Sequence, residues 1–188
     1  MSTATEHACP STQSGASSGR PVPPRGSVVV RAFSTVPEGG YRHPLLAAAA
    51  KLATEHRVRV AAHQVVHDPR ADDHALAAAA RSIDAGDTAC AVLVEQIDSW
   101  AATTLTAHRA AAVHTETLGQ LVDRIAGVWA RSRLLIEQGG RGARPDARVS
   151  LRQLGELSTA YDDLVSDLRM GRRRLPDWQT ATGPNATV

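Results

Sequence analysis

The chain of 188 residues is expected to fold as all-α, a four- to five-helix bundle with a short N-terminal β-prone segment and a disordered N-terminal tail. Two observations predict this. Apolar residues recur at three- and four-residue spacing along the long central stretches, the mark of helices that bury one stripe. Aromatic residues are only 3% of the chain while Ala is abundant. Small and aliphatic side chains let helices approach closely, whereas a β-sandwich draws on β-branched and aromatic residues. The length fits one domain better than two. Hydrophobic residues at 43% and charged residues at 21% are ordinary for a globular protein.

Taken in order, residues 1–27 are rich in Ser, Thr, Gly and Pro. They offer too little apolar surface to offset the entropy of ordering, so this segment is expected to be a disordered tail. Val28, Val29 and Val30 open a β-prone run ending near Phe33, and a lone strand needs a partner, within the chain or from another subunit. After the turn at 37–40, Pro44 suits a first helical position, and a helix is expected from Leu45 to about Val66. It should end at His67-Asp68-Pro69, because a residue before Pro avoids helical geometry. A second helical region runs from about Asp72 to Trp100, with Gly86 marking a kink or a break.

The third helix organises the rest. Thr115 is read as its cap and Glu116 as its first turn. Leu118, Leu121, Val122, Ile125, Val128 and Trp129 form its buried stripe. Glu116, Gln120, Asp123, Gly127 and Arg131 fall on the opposite face, and the helix ends near Gln138. A basic loop follows at 139–145. A fourth helix is expected from about Ser150 to Met170, with Leu151, Leu154, Leu157, Tyr161, Leu164, Val165 and Leu168 facing inward and Gly171 as its C-terminal cap. The single helical domain thus spans 28–179, and 180–188 form a flexible tail.

Composition excludes several classes. With 21 basic and 19 acidic residues the formal net charge is +2, too balanced to argue for nucleic acid, and few aromatics are present for base stacking. No apolar run approaches the roughly 18 residues of a membrane span, and the N-terminus lacks the pattern of a signal peptide. Cys9 and Cys90 form neither a CxxC motif nor a disulfide framework. A soluble, cytoplasmic protein is expected.

The residues with chemical potential are few. His56, His63 and His67 share a face of the first helix, and His63 and His67 stand one turn apart, a spacing that can chelate zinc or iron. No HExxH or Glu-x-x-His pattern accompanies them, so neither a metal nor any other cofactor is expected. Asp84, Asp87, Glu95 and Asp98 make an acidic line, the first two read as a solvated face. Asp98, near a helix end that disfavours negative charge, needs a partner. Asp123, Glu116 and Asp98 are the candidate general bases, since carboxylates gathered in a groove raise one another's proton affinity. Arg124 can hold an anion through its guanidinium fork or serve in an ion pair between helices. His114, Thr115 and Thr117 surround a helix start suited to a small anion, and Arg172 heads a basic run that can close over one.

The segment His114-Thr-Glu-Thr-Leu-Gly-Gln-Leu-Val-Asp-Arg-Ile-Ala, with Ile83-Asp84 and Ile97-Asp98-Ser-Trp100 upstream, resembles the bacterial domain-of-unknown-function family 4254 across about His43 to Arg174. The chain departs from that family's pattern at Gly86, Thr88, Ala89 and Cys90, where polar or basic residues are usual. The family name carries no activity. The chain is also similar to the paired small proteins that close aziridine rings in azinomycin-type biosynthesis by eliminating sulfate. This second resemblance implies a natural-product enzyme, or enzyme subunit, that works as a homo- or hetero-oligomer with another small helical protein. Asp123, Glu116 or Asp98 would take the amine proton, and Arg124 with the helix amides near Thr115 would stabilise the departing sulfate. The alternative is a non-catalytic helical partner protein whose polar third-helix face docks another chain.

Overall fold

The computed structural model describes residues 22–106, 108–139 and 143–176. Most of the expected N-terminal tail, the C-terminal tail, Cys9, Trp178 and residues 140–142 of the basic loop lie outside the described residues. The chain is all-α. Five helices, α1 (Gly26–Ala32), α2 (Pro44–Val66), α3 (Asp73–Thr104), α4 (Leu118–Glu137) and α5 (Ala143–Arg169), are joined by two short strands, β1 (Ala112–Val113) and β2 (Arg173–Arg174). The strands pair in parallel, Ala112 opposite Arg173 and Val113 opposite Arg174. They tie the α3–α4 connection to the segment that follows α5.

Among the described elements α4 touches all four other helices, α1, α2, α3 and α5. Its buried residues Leu118, Leu121, Val122, Ile125, Ala126 and Trp129 form the middle of one continuous core. Val128, expected in that stripe, is partly buried against it.

The β-prone reading of Val28 to Phe33 is corrected: this segment is α1. Val29, Ala32 and Phe33 recur at helical spacing and are buried, with Val28 turned outward. Valine loses only tenths of a kcal/mol in a helix, about 0.5, and burying this stripe outweighs that preference. The Phe33 ring lies 5.6 Å from that of Trp129 on α4. A carboxylate from another helix closes the start of α1, where Gly26 N–H donates to Asp162 Oδ1 at 2.7 Å. Of the expected tail, Pro23 is buried, and the carbonyl of Val22 lies 3.2 Å from His43 Nε2.

Gly86 does not break the second helical region, which is one continuous helix, α3, running past Trp100 to Thr104. Its role is one of space: a Cβ there would stand 2.7 Å from Cγ of Arg59 on α2. Asp72 caps α3 by accepting from Ala75 N–H at 2.7 Å. Helix α5 starts earlier than expected, inside the stretch read as a loop. Pro145 is tolerated because the first turn of a helix needs no N–H. The buried positions Ala147, Ser150, Leu154, Tyr161, Leu164 and Leu168 keep steps of three, four and seven. Leu151, expected inward, is 47% exposed. Gly171 ends the helix as expected, at φ 68°. Its N–H donates to the Leu168 carbonyl and that of Arg172 to the Asp167 carbonyl, a Schellman closure.

Among the described glycines the closest approach is at Gly119, where a Cβ would lie 2.4 Å from the carbonyl oxygen of Val94 on α3. Gly119→Ala is expected to push α3 and α4 apart and cost about 1–3 kcal/mol. Gly155 on α5 meets nothing within 4 Å, and Gly155→Ala should instead stabilise by about 0.5–1 kcal/mol through helix propensity. Urea unfolding of both variants checks the contrast; equal effects would remove the close approach as its cause.

Candidate functional site

Three polar side chains from three helices meet in the middle of the bundle. His56 of α2 is buried, and its Nε2 stands 2.8 Å from Oδ1 of Asp123 on α4. The Asp123 side chain keeps 30% of its surface in solvent, against 11% for His56, so the carboxylate is the end of the dyad that water reaches. One turn beyond Asp123, Gly127 leaves the room the ring needs, since a Cβ there would lie 3.2 Å from His56 Cε1. Cys90 of α3 completes the group. The ligand atoms of His56, Cys90 and Asp123 all lie within 4.8 Å of one another.

Arg59, nearly one turn beyond His56 on α2, lines the same centre. Its guanidinium pairs with Asp87 of α3 at 2.8 Å, and its positive charge favours a thiolate at Cys90. Burial pushes the Cys90 thiol up to about 11, Asp123 and Glu55 add to the rise, and Arg59 offsets part of it. At neutral pH this sulfur is a protonated thiol, not a free nucleophile.

The second polar group fixes the start of α4. Thr117 is the cap, not Thr115. Its hydroxyl accepts from Gln120 N–H at 3.1 Å, and Gln120 Oε1 accepts from Thr117 N–H at 3.0 Å, a reciprocal capping box. Glu116 therefore precedes the helix instead of lying in its first turn, and Thr115 is exposed. Asp98 finds the partner it needs here: Gly119 N–H donates to its Oδ1 at 2.7 Å. Asp98 is not at its own helix end, because α3 continues to Thr104. Burial raises the proton affinity of this carboxyl, and hydrogen bonds from Thr117 and Gly119 offset part of that rise. At the helix start near Thr115 and Thr117, expected to receive a small anion, the amides of Gly119 and Gln120 already have acceptors from within the chain.

The remaining candidates lie further out. Arg124 donates to Glu116 at 2.6 Å in a pair whose side chains are 49% and 30% exposed. His114 Nδ1 faces the backbone of Glu116, 3.2 Å from its N–H, and His114 N–H donates to the Arg174 carbonyl. Arg172 is held at the end of α5 by Asp167 at 2.6 Å, with Arg173 on the other carboxylate oxygen at 3.3 Å. His63 and His67 are exposed, and His67 Nδ1 lies 2.7 Å from the His63 carbonyl oxygen. Of the acidic line, Asp84 and Glu95 face solvent and Asp87 serves Arg59.

Sequence reasoning singled out Asp123 and His56 separately but missed their pairing, and it missed Cys90 and Arg59. Nothing local marks a contact between positions 67 residues apart. The one available signal was chemical: Cys90, Arg59 and His56 interrupt helices otherwise rich in Ala, Leu and Val.

These features define an all-α protein with a polar centre where α2, α3 and α4 converge. The chain belongs to the family described as "Protein of unknown function (DUF4254)", which it matches over residues 47–176, a span that includes every residue of that centre. No curated protein and no solved structure matches the chain. Among the described residues, no helix is long and apolar enough to cross a membrane.

Asp98 carries the first test of this geometry. Its folded-state proton affinity is raised, so the unfolded chain ionises first and this group lowers stability as pH climbs through and above the ordinary carboxylate range. Asp98→Asn keeps an acceptor for Gly119 and removes the buried charge. Its stability relative to the parent should therefore improve from acid to neutral pH. Asp98→Ala leaves the Gly119 N–H without its acceptor and should cost about 1–2 kcal/mol. Urea unfolding at stepped pH reads both. A flat difference between parent and Asp98→Asn would show that the carboxyl bears no burial penalty.

Proposed function

We propose that this chain is an enzyme, or the catalytic subunit of one, that moves a proton on a small polar substrate at Asp123. The His56–Asp123 hydrogen bond at 2.8 Å carries this reading. A carboxylate fixed from below by a buried imidazole, with its other face in water, is oriented before substrate arrives. Asp123 is then the proton acceptor and His56 its positioning residue. Asp98 is committed to Gly119. Glu116 serves Arg124, whose exposed guanidinium retains donors for an anionic substrate group.

The finer reading is ring closure of an amine that carries a sulfate leaving group. The amine nitrogen attacks the carbon bearing the sulfate, the C–O bond breaks with its electron pair, sulfate departs, and the ammonium proton passes to Asp123. What supports it is the anionic acceptor at Asp123 beside the cation Arg124 in the sequence, together with the resemblance noted above. A second reading, a non-catalytic helical partner protein in a homo- or hetero-oligomer, is favoured by the exposed Glu116–Arg124 pair and the exposed Arg172 and Arg173.

Sulfate release from a β-amino alkyl sulfate, with the chain alone and co-expressed with a neighbouring small helical protein, tests the finer reading. Asp123→Asn should reduce turnover at least about a hundredfold, the usual weight of a general base, with helicity unchanged by circular dichroism. His56→Gln should lower kcat with little effect on KM. Unchanged turnover in Asp123→Asn would remove the carboxylate from the chemistry. A stable heteromer with no turnover in either partner would favour the partner reading.

A further inference from the structure

The same centre holds a donor set that acid–base chemistry does not use. An imidazole, a thiol and a carboxylate from α2, α3 and α4 converge with their donor atoms within 4.8 Å. Ligands of a tetrahedral zinc ion, bound at about 2.0–2.3 Å, stand roughly 3.3–3.8 Å from one another. The remaining gap of about 1 Å is on the scale of a side-chain torsion change. We propose that His56, Cys90 and Asp123 form a three-ligand site for a zinc-class divalent cation, with its fourth position open to solvent beside Asp123.

Three observations favour that assignment over a merely polar core. Nitrogen, sulfur and oxygen donors together suit zinc or cobalt(II) and disfavour magnesium and calcium, which take oxygen alone. Three ligands and one solvent-facing position is the pattern of sites that act on substrate, where a closed four-ligand set is structural. The ring of His56 is seated by the bare backbone of Gly127, so the imidazole is placed before any ion arrives.

Charge is balanced. The carboxylate and the thiolate formed on binding match the two charges of the ion, and the thiol proton leaves to solvent. Arg59 is the one cation facing the centre in the described contacts of Cys90, where Asp123 and Glu55 supply negative charge. Its guanidinium is drawn off by Asp87 at 2.8 Å. Its remaining charge beside Cys90 can support the sulfur as an outer partner, as ligand-supporting donors do elsewhere. The site concerns the same residues as the proton-transfer centre but does not rest on that activity.

The test uses the full chain, stripped by chelation and titrated with cobalt(II) chloride, then with zinc chloride. One equivalent of cobalt should bind and produce a thiolate-to-cobalt charge-transfer band in the near ultraviolet, which zinc removes. Cys90→Ser should lose that band and bind zinc at least about a hundredfold more weakly, beyond the usual effect of removing an outer partner. Asp123→Asn, at a solvent-facing position, should weaken zinc by at least about tenfold with helicity intact, so the proposal survives a misfolded Cys90 variant. The exposed pair, changed as His63→Gln with His67→Gln, should bind as the parent does. Cobalt binding without a thiolate band, or parent-like affinity in Asp123→Asn, would overturn the site. Turnover separates this outcome from failure of the proposed function. If cobalt does not bind with a thiolate band while the chelated chain keeps parental turnover and Asp123→Asn loses it, the cation falls and the acid–base reading stands.

Discussion

The hydrogen bond from Gly119 N–H to Asp98 Oδ1 sets the geometry on which the rest of the bundle depends. It satisfies an amide at the start of α4, where no earlier turn can supply an acceptor, and it does so from α3. The start of one helix is thereby pinned to the flank of another. Gly119 permits the approach because its missing Cβ leaves room for the Val94 carbonyl. Burying Asp98 raises its proton affinity, and hydrogen bonding at the start of α4 offsets only part of that penalty. The same device recurs at α1, where Asp162 accepts from Gly26, again across a gap that only glycine leaves open.

From that fixed point the polar centre follows by helical arithmetic. Gly119, Asp123 and Gly127 lie at steps of four on α4, and Cys90, Val94 and Asp98 at steps of four on α3. Running the two helices past each other with Gly119 against Val94 and Asp98 brings Asp123 toward Cys90. His56 on α2 then fills the space over Gly127 and meets Asp123. A shift of α4 by one residue would rotate Asp123 away from both partners, since each residue turns the helix by about 100°. The close approach at Gly119 and the chemistry at Asp123 are two consequences of one register.

Much of the fold was legible in the sequence because periodicity reports burial directly. The stripe Leu118, Leu121, Val122, Ile125 and Trp129 is the core side of α4, and Pro44 and Gly171 begin and end helices as their backbone preferences dictate. Three of the departures share one cause. Val28 to Val30 have strand propensity, Gly86 reads as a breaker, and residues 143–145 read as loop, yet each is helical because tertiary contacts outweigh local preferences of under about 1 kcal/mol. The start of α4 was misplaced for a different reason. Thr115 and Thr117 are both acceptable caps, and only the second stands three residues before a Gln able to complete the box. The site was less legible than the fold, since His56, Cys90 and Asp123 are brought together by register and not by spacing in the chain.

The energetics of that centre bear on why it exists. A buried group of titratable side chains is a poor means of stabilising a bundle, because desolvation consumes most of what the contacts return. Apolar side chains of similar volume at 56, 90 and 123 would join the core at comparable or greater stability. Stability alone therefore gives no reason for an imidazole, a thiol and a carboxylate to meet there, with Arg59 added beside them. The register that joins them also leaves one of the three, Asp123, in contact with solvent. That exposure lowers the desolvation cost of the carboxylate, and it also opens Asp123 to proton exchange or to an ion from solvent.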